Sequence, residues 1–112
     1  MFIEGTGPMV KLHQPYTVGK WVTKVGSEKA FIAEWESFAQ WTSRNQGGAG
    51  TGCLLQDQEK PQQFISFGPW ENVESINAWR ERPEFKEFVA KVRGLLEEFQ
   101  PQTLLIVASS EQ

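Results

Sequence analysis

Reactive side chains are scarce in this sequence. Among 112 residues there is one His (His13), one Cys (Cys53) and one Asp (Asp57). A structural zinc site takes four ligands, mostly Cys and His, and a catalytic one takes three. A single chain of this composition supplies neither in the ordinary way, so no metal site is expected. A disulfide framework within the chain is excluded, and the unpaired thiol fits a reducing compartment. Any Ser-His-Asp or Cys-His arrangement would have to use His13, which falls in an irregular N-terminal stretch. A hydrolytic triad is therefore not expected.

Clustered positive charge is also missing. The 11 basic residues are scattered, the net charge is −3 and the pI is about 5.2. Phosphate neutralisation needs grouped cations, so nucleic acid is not an expected partner. Long apolar runs are absent: the longest, Leu104 to Ala108, is far short of a membrane span. The opening residues lack a basic region and an apolar stretch of signal-peptide length. The expectation is a cytoplasmic protein with no membrane partner. Met9 offers an alternative start, which would make residues 1–8 dispensable.

What the chain has in quantity is aromatic residues, with five Trp, eight Phe and one Tyr. Trp can line pockets and interfaces as well as cores. Apolar residues make up 39% and charged residues 22%, a globular balance. Length sets one domain. Surface scaling gives roughly 6,000 Å² folded against roughly 18,000 Å² unfolded, enough for a modest core.

Local patterns divide the chain into a 1–14 N-terminal arm, a 15–108 domain and a 109–112 polar tail. Tyr16 to Val25 mixes β-branched and aromatic residues as a strand does. Ser27 is placed to cap a helix from Glu28 to about Arg44, with Phe31, Trp35, Phe38 and Trp41 or Thr42 at helical spacing. Asn45-Gln46-Gly47-Gly48 stops it. Thr51 to Gln56 and Gln63 to Gly68 predict an antiparallel hairpin, with Cys53 buried in its first strand. Asn72 can cap a helix over Val73 to about Arg82. Pro83 opens a continuing segment, with Phe85, Phe88, Val89, Val92, Leu95, Leu96 and Phe99 in helical period up to Pro101. Thr103 to Ala108 is the expected last strand. The order β-α-β-β-α-β is the ferredoxin-like α+β arrangement, with a four-stranded antiparallel sheet. Gly47 to Gly52 follows a helix and precedes a strand, the reverse of a dinucleotide-binding loop.

The stretch Phe64 to Phe88, FISFGPWENVESINAWRERPEFKEF, resembles the signature of antibiotic biosynthesis monooxygenase domains. Those show a strand ending in an aromatic residue and Trp, a Ser-containing or acidic helix start, an Ala before an aromatic residue or His, then a Pro or Ser and a Phe. The resemblance covers residues 15 to 108. It implies a homodimer in which two sheets pack face to face as a dimeric α/β barrel. It also implies a pocket between each sheet and its helices for a hydrophobic or aromatic small molecule. Apolar residues on both faces of the strands agree with a need for a partner.

Family members divide into those that oxidise phenols or quinols with O2 and no cofactor, those that bind and cleave heme, and others with no assigned activity. The heme-degrading members use an Asn on the first strand, a Trp midway along the second helix and an iron-ligating His ten residues further on. Here the Trp position is Trp79, the His position Val89 and the Asn position about Gly19, so ligand and donor are both lost. The cofactor-independent members use a Trp, an Asn and a His, Tyr or Arg to hold and deprotonate a phenol. Trp70 or Trp79 matches the Trp, Ser66 stands at a polar strand position, and no general base is identified. The pocket candidates are Trp79, Trp70, Phe67, Trp35, Phe38, Arg80 and Tyr16; Lys20, Lys24 and His13 are further polar candidates. The leading expectation is a small cofactor-independent monooxygenase acting on an aromatic or quinol-like molecule. The alternatives are a non-catalytic hydrophobic-ligand-binding dimer, a heme-binding relative, and a dimer whose aromatics only fill its core.

Overall fold

The computed structural model describes residues 10–111. Most of the expected arm, the alternative start at Met9, and Gln112 lie outside the described residues. The elements are β1 (Pro15–Thr23), α1 (Glu28–Asn45), β2 (Cys53–Gln56), β3 (Gln63–Pro69), α2 (Val73–Glu81), α3 (Pro83–Arg93) and β4 (Leu96–Leu105). The strands form one antiparallel sheet in the order β2-β3-β1-β4, the ferredoxin-like arrangement. No helix among the described residues is long and apolar enough to cross a membrane.

Local chemistry sets the boundaries. Asn72 Oδ1 accepts the Ser75 backbone N–H at 2.8 Å and starts α2, whereas Ser27 precedes α1 without a side-chain capping bond. Pro83 stands in the first turn of α3, where its missing N–H costs nothing. In the β2–β3 turn, Asp57 Oδ1 accepts the N–H groups of Glu59 and Lys60 at 2.8 and 2.9 Å. Those bonds favour the ionised form and hold this exposed carboxyl below its ordinary pKa. The last residues of the arm are tied down: His13 N–H donates to Ile106 O, and Ile106 N–H to Gln14 O.

Trp21, Phe31, Phe64, Phe88 and Val92 form the buried core between sheet and helices. Trp21 centres it, stacked on Phe99 at 4.0 Å, 5.0 Å from Phe31 and edge-on to Phe88 at 6.1 Å. Each such ring contributes about 1.5–3 kcal/mol through burial alone. Strand alternation sends the even-numbered residues of β1 to the other face of the sheet, opposite the helices. Register puts Ile65, Leu55 and Leu104 on that face, at 40%, 55% and 45% exposure.

Two sequence expectations are corrected. The second helical segment does not run to Phe99; it ends at Arg93, and β4 starts at Leu96 instead of Thr103. The pairing of β1 with β4 shifts between Val22 and Thr23, so Trp21 faces Phe99 and Thr23 faces Leu96. This bulge turns two residues three apart to the same inner face, a spacing that reads as helical in one dimension. Pro101 sits inside β4, which an edge strand tolerates because one side of its ladder is unpaired. Cys53 is exposed, not buried, because β2 is the opposite edge.

One core polar group stands out. Thr23 is fully buried, and its Oγ1 has no hydrogen-bond partner among the described residues. Its backbone is satisfied, with N–H to Gln62 O at 2.8 Å and O from Gln62 Nε2 at 2.7 Å. An unpaired buried hydroxyl costs about 1–3 kcal/mol. Thr23→Val, close in shape, is expected to stabilise the fold by about 1 kcal/mol, seen as a higher urea midpoint at unchanged slope. A lower midpoint would show that the hydroxyl does have a partner.

Candidate functional site

Between the sheet and the helices lies a half-open cavity of about 90 Å³, large enough for roughly six to nine water-sized positions. Its walls come from every layer of the fold: Thr17 and Gly19 of β1, Trp35, Phe38 and Thr42 of α1, Ser66 of β3, Trp79 and Arg80 of α2, Phe85 and Phe88 of α3, and Phe99 of β4. Trp70, in the β3–α2 connection, closes one end and is 4% exposed.

The aromatic walls are packed against one another. Phe38 stacks on Phe88 at 4.4 Å and on Trp79 at 5.7 Å, and Trp79 lies 4.7 Å from Phe85 and 5.0 Å from Trp70. Three indoles are fixed by the same device. Trp21 Nε1 donates to Ser66 Oγ at 2.9 Å, Trp70 Nε1 to Thr17 Oγ1 at 3.0 Å, and Trp79 Nε1 to Thr42 Oγ1 at 3.0 Å. An indole can only donate, so each needs an acceptor when buried. All three accepting hydroxyls line the cavity.

Arg80 is the one ionisable side chain on the lining among the described residues. It is held by β4, with Nη1 donating to Thr103 Oγ1 at 2.8 Å and Nη2 to Gln102 O at 3.3 Å. It has no ion-pair partner among the described residues. Burial lowers its pKa from the ordinary value, yet an arginine keeps its charge. Above it, Arg82 fastens the α2–α3 corner to α1. Its Nη1 donates to Asn45 O at 2.9 Å and its guanidinium sits 4.7 Å over Trp41, which stacks on Phe38.

A second hollow, about 390 Å³, lies on the far side of Trp70 between the arm and residues 48–50. It is the larger in volume but shallow and about half polar. Its walls include exposed His13 with Lys11 and Glu71. The smaller cavity is the better candidate, since its walls are mostly apolar and a few polar groups converge on it.

Of the residues singled out in the sequence, Trp79, Trp70, Trp35, Phe38 and Arg80 meet at this cavity. Phe67 borders it, but alternation from Ser66 sends its ring to the outer face, opposite Val18 and Cys53, so its contribution is main chain. Tyr16 does not reach it; its register partners are Pro69 and Leu104, on the outer face. Lys20 lies on that outer face too, and Lys24 is exposed beyond β1. Ser66 lines the cavity, and His13 does not. Thr17 and Thr42 were not read as site residues. Thr42 carried a signal, being polar within the apolar stripe of α1; Thr17 carried none.

A profile of the family described as antibiotic biosynthesis monooxygenase matches residues 16–91. Solved structures share the fold. SnoaB from Streptomyces nogalater, described as a cofactor-independent oxygenase, superposes with a TM-score of 0.78 at 15% identity, covering 88% of this chain and 97% of that one. PA3566 from Pseudomonas aeruginosa gives 0.73 at 19% identity, covering 91% and 100%. SO0527 from Shewanella oneidensis gives 0.74 at 19%, covering 84% and 91%. Comparison with curated protein sequences gives no significant match. At these identities the structural likeness speaks for the fold alone.

Gly19 is what lets the Trp21–Ser66 pair form. A Cβ there would stand 2.7 Å from both Ser66 Oγ and Trp21 Nε1. Gly19→Ala is expected to cost about 1–3 kcal/mol by overpacking, measured by urea unfolding, with a blue or red shift of the tryptophan emission. Unchanged stability and emission would contradict the close packing described.

Proposed function

The chain belongs to the antibiotic biosynthesis monooxygenase family, and from that premise we propose that its cavity oxidises a small phenol or quinol with O2, without a bound cofactor. The observation that carries this reading is the make-up of the walls: stacked aromatics, three hydroxyls held by indoles, and one unpaired guanidinium. A metal-free reaction with O2 needs an electron-rich anion as electron donor. A cation and hydrogen-bond donors stabilise that anion, and dry apolar walls protect what it forms. One electron passes from the phenolate to O2, the two radicals combine at a ring carbon, and water leaves. One oxygen atom remains as a new carbonyl and the other departs in the water, so a phenol's O–H and one ring C–H, with O2, give the two C=O groups of a quinone and H2O.

Heme does not fit these residues. Val89 packs against the core and is not on the cavity wall, and Gly19 has no room for a side chain. His13 lines the outer hollow, and a macrocycle exceeds the cavity's volume. One observation favours a second reading, a non-catalytic binding module: among the described residues no carboxylate, imidazole or amine lines the cavity to accept a proton.

We also read the molecule as a homodimer, with the outer face of the sheet, where Leu55, Ile65 and Leu104 stand beside Lys20, Glu98 and Gln100, covered by a second copy. Leu55, Ile65 and Leu104 are the exposed groups that support this. The scattered cations give no support for a nucleic-acid partner. A cytoplasmic setting is supported by the lone exposed thiol of Cys53.

Two measurements test these readings. Oxygen uptake with naphthols and hydroquinones should exceed that of heat-denatured protein, and Trp79→Phe should lower it at least about tenfold, equivalent to about 1.4 kcal/mol of barrier. Rates equal to the denatured control would leave the binding module. Size exclusion at micromolar concentration should give a dimer, and Ile65→Lys with Leu104→Glu a monomer. A wild-type monomer would contradict the dimer.

A further inference from the structure

The lining of the cavity is one-sided in its chemistry. Among the described residues Arg80 is its only titratable side chain, and the β4 residues that hold Arg80, Thr103 and Gln102, do not titrate either. A proton arriving with the ligand finds no acceptor of higher basicity than water.

The hydroxyls are donors in waiting. Ser66, Thr17 and Thr42 each spend a lone pair on an indole N–H, and none donates its own proton to another described residue. Receiving a hydrogen bond polarises the O–H and makes it a better donor. Thr17 lies directly opposite Thr103 across the β1–β4 ladder, and Thr103 accepts from Arg80. The free hydroxyl proton of Thr17 and the unneutralised guanidinium therefore share one end of the cavity, the end that Trp70 closes.

An oxygen placed at that end meets a positive charge and a donor, with no base. A neutral phenol there would face a guanidinium that can only donate. An oxyanion would satisfy both groups, and the apolar walls strengthen its attraction to the charge. We propose that the cavity takes its ligand as a pre-formed oxyanion, a one- or two-ring phenolate or enolate, held by Arg80 and Thr17, its proton left in bulk water. This deepens the reading of the cavity as an aromatic-ligand site and rests on it. The proton balance is simple: the acid ionises outside, and the anion alone enters.

The test compares two probes of nearly the same shape. One is 2-hydroxy-1,4-naphthoquinone, ionised at neutral pH; the other is its 2-methoxy ether, which cannot ionise. Neither needs turnover, and binding is read by quenching of tryptophan fluorescence and by calorimetry. The hydroxy compound should bind at least about tenfold more tightly at pH 7, and its advantage should fall as pH drops through the compound's own pKa. Arg80→Gln should remove most of the preference, Arg80→Lys should retain part of it, and Thr17→Val should weaken it while circular dichroism shows the fold intact. Equal binding of ether and anion would overturn the proposal. So would a preference that survives both Arg80→Gln and Thr17→Val. Anion preference without oxygen uptake would uphold this inference and remove the oxygenase reading. Oxygen uptake without anion preference would do the reverse. Binding of neither probe would overturn both.

Discussion

The structure turns on the indole of Trp21. Its ring lies flat on Phe99 of β4, meets Phe31 of α1 and Phe88 of α3, and passes its N–H to Ser66 of β3. One side chain thus joins three strands and two helices. Its bond to Ser66 crosses the space that Gly19 leaves vacant. The same indole forms the floor of the cavity, so the element that locks the core also shapes the site. Core packing and the shape of the cavity are not separable here, because they share atoms.

The use of tryptophan repeats this logic. Trp70 and Trp79 are each held by a threonine hydroxyl, on β1 and α1 respectively. An indole buries a large apolar surface but carries one donor that must be paired. Pairing it with a hydroxyl instead of a carbonyl leaves a polar group with a proton of its own. A wall that is apolar over most of its area therefore keeps a few donors at fixed positions. Arg80, braced from β4, adds the charge that the hydroxyls lack.

Much of this was legible in one dimension, and the parts that were not have physical reasons. The element order, the helix over Glu28–Asn45 and the cap at Asn72 follow from local spacing and hydrogen-bonding chemistry. The sequence likewise marked Trp79, Trp70, Trp35, Phe38 and Arg80, which meet at one cavity. The start of β4 was hidden because a bulge at Val22/Thr23 lets Leu96 and Phe99 face inward at a helix-like interval. The exposure of Cys53 depends on which strands lie at the edges, which composition does not encode. Tyr16 and Phe67 fell on the wrong side of the sheet because a one-residue choice of parity sends every side chain of a strand to one face or the other. Thr17 was invisible because its role depends on Trp70, a residue 53 positions away in the chain.

The central claim is that the space walled by Trp70 and Trp79 is a ligand site whose one charged end anchors an oxygen. A crystal structure of the protein with 2-hydroxy-1,4-naphthoquinone tests this most directly. Density for the ring between Phe38 and Trp79, with an oxygen within hydrogen-bond distance of Arg80, is the result this account predicts. Density confined to the outer hollow beside His13, with side chains filling the inner space, would contradict it.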